Sequence, residues 1–450
     1  MDAKLETLCV ENKYEKLIHH TKSISNILKT NNGRLVNKPE INNNGLKKNL
    51  DGQENSTKPS FSDKSEDQSQ NNADDEKRIH RVVFTGGPCA GKTTSINRIK
   101  TFFENIGWKV LSVPETATTL LSSGIFFAEL DEDAKIDFQE NLLKTLLQIE
   151  DTINETAKNY ANKKNVIIIY DRGAMDPISY IAPHEWEALK IRNPNWNEVD
   201  LRDNRYDQII HLVTAANGAE QFYTLENNNT RTESIELARE LDERCAKAWV
   251  GHPCMDVIGN STVFDTKVTK ALQTVCERVG LNLKGFDAGN RKRKFLVKEL
   301  PDDSVFPNFE ELTVIHNYLV STSDSIQVRI RKSGKGGNWS YSYAIRTYED
   351  GLPNETRTQI DRREYAILSK TVDSNHYTIY QRRRCFIWCH RYYRIDIYEE
   401  PCNPSCRGLV ILSFRTADDD ILLPSFLQIE REITNDSFYS MFNLSAKKNN

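Results

Sequence analysis

The stretch Val82–Ile96, VVFTGGPCAGKTTSI, decides the reading of the first half of the chain. An apolar run, Val82-Val83-Phe84, ends just before Gly86. The next residues, Gly86-Gly87-Pro88-Cys89-Ala90-Gly91-Lys92-Thr93, fit G-x-x-x-x-G-K-[ST] at every fixed position. Gly86 and Gly91 allow backbone conformations that a side chain would forbid, so successive N–H groups can turn inward on a phosphate. A helix starting near Lys92 adds the positive end of its dipole. Lys92 is placed to reach the β- and γ-phosphates, and the Thr93 hydroxyl to ligate Mg²⁺. Thr94 completes the expected nucleotide-binding residues of this loop. A glycine-rich turn that binds nothing is the competing reading. The order strand, loop, amphipathic helix argues against it.

Outward from this loop the pattern is strand–helix alternation, the mark of a parallel α/β sheet. Strands are expected at Lys109–Val113, Val166–Tyr170, Gln208–Val213 and Val257-Ile258, with helices to about Ile106, from Phe138 toward Tyr160, over Ser234–Val250 and over Thr266–Val279. Active carboxylates in such folds sit at the carboxyl ends of strands. Asp171 directly follows the apolar run Val166–Tyr170 and reads as a direct or second-layer Mg²⁺ carboxylate, or as a helix N-cap. Glu115 follows the second strand and could polarise an acceptor hydroxyl or a water, or simply start a helix. Arg231, Arg239 and Arg244 follow the polar loop Glu226–Thr230. Arginines on such a loop can close over phosphates. Arg231 is assigned that role; Arg239 and Arg244 read as solvated helix charges. Asn260, after the last short strand, is either a neighbour of the base or ribose, or a helix cap.

Composition bounds the rest. A chain of 450 residues suggests two to four domains. At 38% hydrophobic and 28% charged residues it reads as a soluble protein, and a net charge of −4 gives no global bias toward nucleic acid, so none is expected as a partner. No apolar run is long enough to span a bilayer. Met1-Asp2-Ala3-Lys4 leads into polar sequence without the features of a secretory leader or a myristoylation site. Nine scattered cysteines read as reduced thiols in the cytosol. Residues 1–78 are rich in Asn, Lys, Ser, Asp and Gln and read as disordered, with a transient helix around Tyr14–Leu28.

From about residue 288 to 445 the texture changes to short alternating segments with turn signals such as Lys335-Gly336-Gly337-Asn338, which argues antiparallel β. Eight strands are expected, Thr313–Val320, Ser325–Arg331, Trp339–Thr347, Glu355–Ile360, Tyr377–Trp388, Tyr392–Glu399, Gly408–Phe414 and Phe426–Ile433, enough to close a barrel. Arg329 and Arg331 alternate on one strand and so share a face. Arg346, Arg357, Arg382 and Arg384 extend the set, and any one of them alone could be a solvated outer charge. Across 291–416 there are 21 Lys and Arg against 15 Asp and Glu. Cys385-x3-Cys389 and Cys402-x3-Cys406, with His390 nearby, read as buried thiols in preference to a zinc site.

The segments GGPCAGKTT, PETATTLL, YDRGAMDP, TRTESIELARELDERCAKAWVGHP and VIGNS, followed by RKRKFLVKELP, VRIRKSG, YAIRTYEDG, RRRCFIW, YRIDIYEEP and YSMFNLS, resemble the TRPL translocation defect protein 14 family. The first group is also similar to nicotinamide-riboside-kinase-like proteins. The resemblance covers about 79–445. It implies an AAA-type P-loop domain over 79–287 and a CYTH-like triphosphate-tunnel barrel over 288–445. It further implies GTP with Mg²⁺ in the first domain, and phosphoinositide or phosphatidic acid in the second. Anion-binding residues would be Lys294, Arg329, Arg331, Arg346, Arg382 and Arg384. A cytoplasmic protein, peripheral on endosomal or plasma membranes and partnered by trafficking proteins, is what the family implies. Tunnel enzymes begin with E-x-E-x-K, whose glutamates hold a metal. Here those positions fall on Asn290 and Lys292, with Lys294 keeping the lysine; Ser413 and Gln428 stand where related sequences place carboxylates, while Asp396 and Glu430 remain. The second domain is therefore expected to bind anions rather than hydrolyse them, and the first to be at most a weak NTPase. A small-molecule kinase or a tunnel triphosphatase is the alternative.

Overall fold

The computed structural model describes residues 78–223, 234–281, 291–321, 323, 325–349, 352–416 and 421–447. The tail read as disordered lies outside them, save its last residue. The described residues belong to one compact unit, Lys77–Asn450, that contains two sheets.

The first sheet is parallel and five-stranded. Its elements are β1 (Ile79–Thr85), α1 (Lys92–Asn105), β2 (Lys109–Val113), α2 (Thr116–Leu121), α3 (Glu132–Ala161), β3 (Val166–Asp171), α4 (Pro183–Arg192), β4 (Gln208–Leu212), α5 (Ile235–Ala248), β5 (Met255–Ile258) and α6 (Phe264–Arg278). The strand order is β2-β3-β1-β4-β5. β3 is almost wholly apolar and β4 is buried along its whole length, without alternation, because helices cover both faces. The two-residue period of β1 sends Val82 and Phe84 into one core with Ile99, Phe103 and Val275, and Val83 into the other with Leu143, Leu146 and Trp249. The expected α/β class holds, and β5 begins two residues earlier than the sequence suggested.

The second sheet is antiparallel and has nine strands: β6 (Arg291–Val297), β7 (Phe309–Leu319), β8 (Gln327–Lys335), β9 (Asn338–Glu349), β10 (Leu352–Ile360), β11 (Ile379–Trp388), β12 (Arg391–Glu399), β13 (Val410–Thr416) and β14 (Ile429–Glu432). The helix α7 (Arg362–Leu368) interrupts them, and α8 (Met441–Ser445) follows. The order is β10-β9-β8-β7-β11-β12-β13-β6-β14. β6 is the strand missing from the expected eight; its run Arg291-Lys292-Arg293-Lys294 hides it among charged sequence. Among the described residues no ladder joins β10 to β14, so the hydrogen-bonded sheet is open. Burial and Arg346 push the Lys294 ammonium below its ordinary value, and Asp396, Arg329 and Glu355 act on it too. Arg346, Arg329 and Glu355 stand on β9, β8 and β10, at the other end of the strand order.

The two sheets meet directly. Tyr392 of β12 lies in the first sheet's core with Cys385 of β11. Its hydroxyl accepts from Gly251 N at 3.2 Å and donates to the His252 carbonyl at 3.1 Å. Arg394 donates to the Pro253 carbonyl at 3.2 Å and Arg415 to Glu277 at 3.0 Å. No described helix is long and apolar enough to cross a membrane.

Candidate functional site: a phosphate loop and a basic sheet face

The loop between β1 and α1 has the backbone that its glycines anticipate. Gly86 and Gly91 have φ of 135° and 86°. A Cβ on Gly86 would stand 2.1 Å from the Leu212 carbonyl oxygen, so β4 is packed against the loop too closely for any side chain. Cys89 also takes a left-handed φ, 54°. Neighbouring elements hold the loop from outside. Thr214 Oγ1 donates to the Pro88 carbonyl, and Ala215 N to the Cys89 carbonyl at 3.3 Å. Lys267 Nζ donates to the Ala90 carbonyl at 3.0 Å, to Val213 O at 2.6 Å and to Asn260 Oδ1 at 2.8 Å. Lys92 Nζ folds over the loop, donating to Gly86 O and Gly87 O at 3.0 Å each. Burial and Arg172 lower its ammonium from the ordinary value. Thr93 and Thr94 are exposed in the first turn of α1.

Two buried carboxylates that the sequence reading did not single out complete the surroundings. Asp242, on the apolar face of α5, accepts from Gly87 N at 2.7 Å and Thr214 N at 3.2 Å. Burial opposes its ionisation, but His211 and these bonds keep its carboxyl below the usual value. Asp176 accepts from Gly173 N at 2.7 Å and from the Thr85 hydroxyl just before the loop. The clue to Asp242 was a carboxylate among Ala238, Leu241 and Cys245; the clue to Asp176 was its place in YDRGAMDP.

The ends of β2 and β3 bring Glu115, Asp171 and Arg172 together beside Lys92. Glu115 pairs with Arg172 Nε at 2.6 Å and accepts from the Thr118 hydroxyl at 2.8 Å. Burial works against its charge, yet Arg172 and Lys92 hold the carboxyl down to about 2. Glu115 also occupies the N-cap position of α2, so both sequence readings of it describe the same placement. Asp171 ends β3 with a buried Oδ1 that has no hydrogen-bond partner. Burial raises its carboxyl above the usual value, against Lys92. Arg172 has a left-handed φ of 68°, the kind of backbone strain that collects at functional sites. An orphaned Asp171 carboxylate oxygen near Lys92, with Thr93 exposed in the first turn of α1 and a loop too tight for a Cβ, suits a hydrated divalent cation and a polyphosphate.

Asn260 sits next to the loop, with its amide committed to protein groups. Nδ2 donates to Thr214 O at 2.7 Å and Asn217 O at 2.8 Å. It does not cap α6, whose N-cap is Val263. Arg239 bonds Ala216 O and Glu220, and Arg244 pairs with Glu240, as expected of helix charges. Arg231 lies outside the described residues, as does Asn290.

On the second sheet, register divides the basic residues by face. Arg329 and Arg331 stand opposite Ala344 and Ser342, Arg346 opposite Glu355, and Arg331 opposite His316. These side chains share the inner face with Arg357, Arg383, Asp396, Ser413 and Lys294. Glu355 accepts from Arg346 at 2.6 Å and from Arg329 and Arg357 at 3.4 Å. Asp396 takes Arg383 through both oxygens, at 2.6 and 3.2 Å. Arg331 is 5% exposed, and its Nε has no hydrogen-bond partner. Among the described residues no carboxylate pairs with it. Burial, Arg357 and Arg383 push its guanidinium well below the ordinary value. His316, 3% exposed, has neither ring nitrogen bonded.

Arg382 and Arg384, expected beside them, flank Arg383 and therefore face the other way. Arg382 pairs with Glu399 at 3.1 Å and Glu311 at 3.5 Å. Arg384 pairs with Glu311 at 2.6 Å and Asp303 at 2.5 Å over the ring of Phe309. The inner-face arginine of this triplet is Arg383. Of the cysteines weighed for zinc, Cys389 lies before β12 and Cys402 and Cys406 after it, and among the described residues no three His, Cys, Asp or Glu come together to hold a metal.

The family described as AAA domain matches residues 81–264. The chain is similar to crystal structures of the inorganic triphosphatase NE1496 (20% identity over 35% of this chain and 97% of that one, TM-score 0.27) and of the hypothetical protein NE1496 (20%, 35% and 99%, TM-score 0.26). No curated protein matches the sequence. The first half of the described unit therefore carries an AAA-type domain, and its phosphate loop fits nucleotide binding or hydrolysis.

Proposed function

We propose that this chain is a GTP-binding regulatory protein that also takes phosphoinositides or phosphatidic acid, acting peripherally on endosomal or plasma membranes in endocytic trafficking. One observation carries the reading. A buried Arg331 without a carboxylate partner lies on a basic sheet face, in the same compact unit as a formed phosphate loop. A buried cation costs stability unless an anion meets it, and a phosphate monoester supplies one through charge-assisted hydrogen bonds. Lys294, Arg329 and Arg346 border the same space. In the first half, Gly86–Thr94 would cradle the triphosphate, with Lys92 swinging from its own loop carbonyls to the phosphates. Thr93 and Asp171 would hold Mg²⁺, which supplies charge neutralisation between phosphate oxygens. The guanine preference and the trafficking role come from the family resemblance.

A second reading is favoured by Glu115, Arg172 and Asp171. A carboxylate paired to an arginine beside Lys92 suits a hydroxyl acceptor, and so a small-molecule kinase. The test uses the full chain: GTP calorimetry and sedimentation with phosphatidic-acid or phosphoinositide vesicles, on wild type, Lys92→Ala and Arg331→Ala. Lys92→Ala should lose GTP and keep vesicles, and Arg331→Ala the reverse. Equal GTP affinity in wild type and Lys92→Ala, or no preference for anionic over neutral vesicles, would sink it. Metal-dependent turnover of tripolyphosphate at enzymatic rates would favour a triphosphatase instead.

A further inference from the structure

The second sheet touches the phosphate-loop side of the first at the β11–β12 turn. Cys389 and His390 form this turn, with φ of 45° and 55°. A two-residue turn with both residues left-handed is normally filled by Asn-Gly. Here two full side chains are kept where the backbone favours glycine, and both are exposed. An outlier of this kind points toward function.

His390 reaches across to the first half. Its Nε2 lies 2.9 Å from Asn217 Nδ2, in the loop after β4. The Asn217 carbonyl accepts from Asn260 at 2.8 Å, Asn260 Oδ1 from Lys267 at 2.8 Å, and Lys267 donates to the Ala90 carbonyl at 3.0 Å. A line of hydrogen bonds thus runs from the turn of the second sheet to the phosphate loop. Glu115 and Asp171 stand at β2 and β3, to one side of β1, whereas Asn217 and Asn260 follow β4 and β5 on the other. Ligands of such sheets bind outside the carboxyl ends of the strands, so a nucleotide with its terminal phosphate at the carboxylates would have its base on the β4–β5 side.

We propose that His390 faces the base of the bound nucleotide and selects guanine. With the Asn217 amide nitrogen donating to Nε2, the ring proton sits on Nδ1. An Nδ1–H donor matches the O6 acceptor of guanine, where adenine carries an amino donor; N7 is an acceptor in both bases and does not discriminate. Asn260 is a positioning residue in this arrangement, because both its amide nitrogen and its oxygen are engaged by the protein. The inference deepens the nucleotide-binding reading and rests on it.

The test is displacement of a fluorescent GTP analogue from the full chain by GTP, ATP and ribose 5′-triphosphate, in wild type, His390→Ala, His390→Gln and Lys92→Ala. Wild type should prefer GTP to ATP. His390→Ala should reduce that preference roughly tenfold, the worth of one hydrogen bond, and leave ribose triphosphate unchanged. His390→Gln, which keeps a donor, should recover part of it. An unchanged GTP/ATP ratio in His390→Ala, or an equal loss for all three ligands, overturns the assignment. Failure of the underlying reading looks different: wild type and Lys92→Ala would then bind the GTP analogue alike.

Discussion

Replacing Arg331 with methionine should make the protein more stable and less able to bind phosphorylated surfaces. Arg331 is 5% exposed, faces Arg357 and Arg383, and has no carboxylate partner among the described residues. Methionine keeps most of the aliphatic stem and removes the charge. Replacing even paired buried charges by apolar groups of similar volume is often neutral or stabilising by about 1–4 kcal/mol. Taking about 2 kcal/mol as the centre, a unit of this size should melt a few degrees higher. The same change removes one charge-assisted contact, worth about 1.5–3 kcal/mol, so affinity for phosphatidic-acid vesicles should fall by roughly tenfold to a hundredfold. The assays are thermal unfolding without ligand and vesicle sedimentation at two salt concentrations. Arg382→Met is the control. It sits one residue from Arg383 but on the opposite face, half-exposed and paired with Glu399 and Glu311, so it should change stability by less than about 1 kcal/mol and binding little. A melting temperature that drops in Arg331→Met while vesicle binding is retained would refute the reasoning, because Arg331 would then be held by protein partners rather than waiting for an anion.

Three further outcomes follow. Lys267→Met strands the acceptors Ala90 O, Val213 O and Asn260 Oδ1; it should cost about 3 kcal/mol in urea unfolding and weaken nucleotide binding, and a neutral effect on both would show the loop does not depend on it. His252 is fully buried and pushed by burial from 6.5 to about 4, so below 6.5 the unfolded chain takes up a proton that the fold excludes. Stability is therefore complete above 6.5 and declines by about 3 kcal/mol as pH falls through the folded value, a slope that His252→Asn should flatten. If the kinase reading holds, Glu115→Gln should lower phosphoryl transfer by about a hundredfold or more with GTP affinity nearly unchanged; parallel loss of both would make Glu115 a structural partner of Arg172 only.

How far the sequence reached depends on how much each signal constrained. The phosphate loop was legible because its chemistry needs fixed residues at fixed spacing, and the backbone angles at Gly86 and Gly91 follow from that need. The carboxylates at the ends of β2 and β3 were legible because apolar runs marked where those strands stop. Arg329 and Arg331 were legible by period alone. On β11 the period was no help: Arg382, Arg383 and Arg384 are consecutive, and apolar residues stand on both faces, Ile379 and Cys385 on one and Phe386 on the other. Nothing local fixes the phase, and only pairing with β7 and β12 does. Asp242 and Lys267 were missed for a different reason. Each is a charged residue on a helix whose partners are backbone atoms of the loop, contacts that leave no pattern in sequence.

The boundary near residue 287 separates two kinds of secondary structure, but the packing does not follow it. Tyr392 and Cys385 of the antiparallel sheet are buried in the core that also holds Val83, Ile168 and Trp249. Arg394 and Arg357, on the basic face, reach the Pro253 carbonyl and the Cys254 thiol, at 3.2 and 4.0 Å. Those two residues lead straight into β5, whose far end carries Asn260 and its bonds to the loop after β4. If an anion binds the basic face, as proposed above, it would meet guanidinium groups that also contact the residues leading into β5. Any redistribution of their hydrogen bonds changes the same contacts that seat β5. Should a nucleotide change the affinity of the basic face for an anion through β5, linkage would require the anion to change the nucleotide affinity by the same factor.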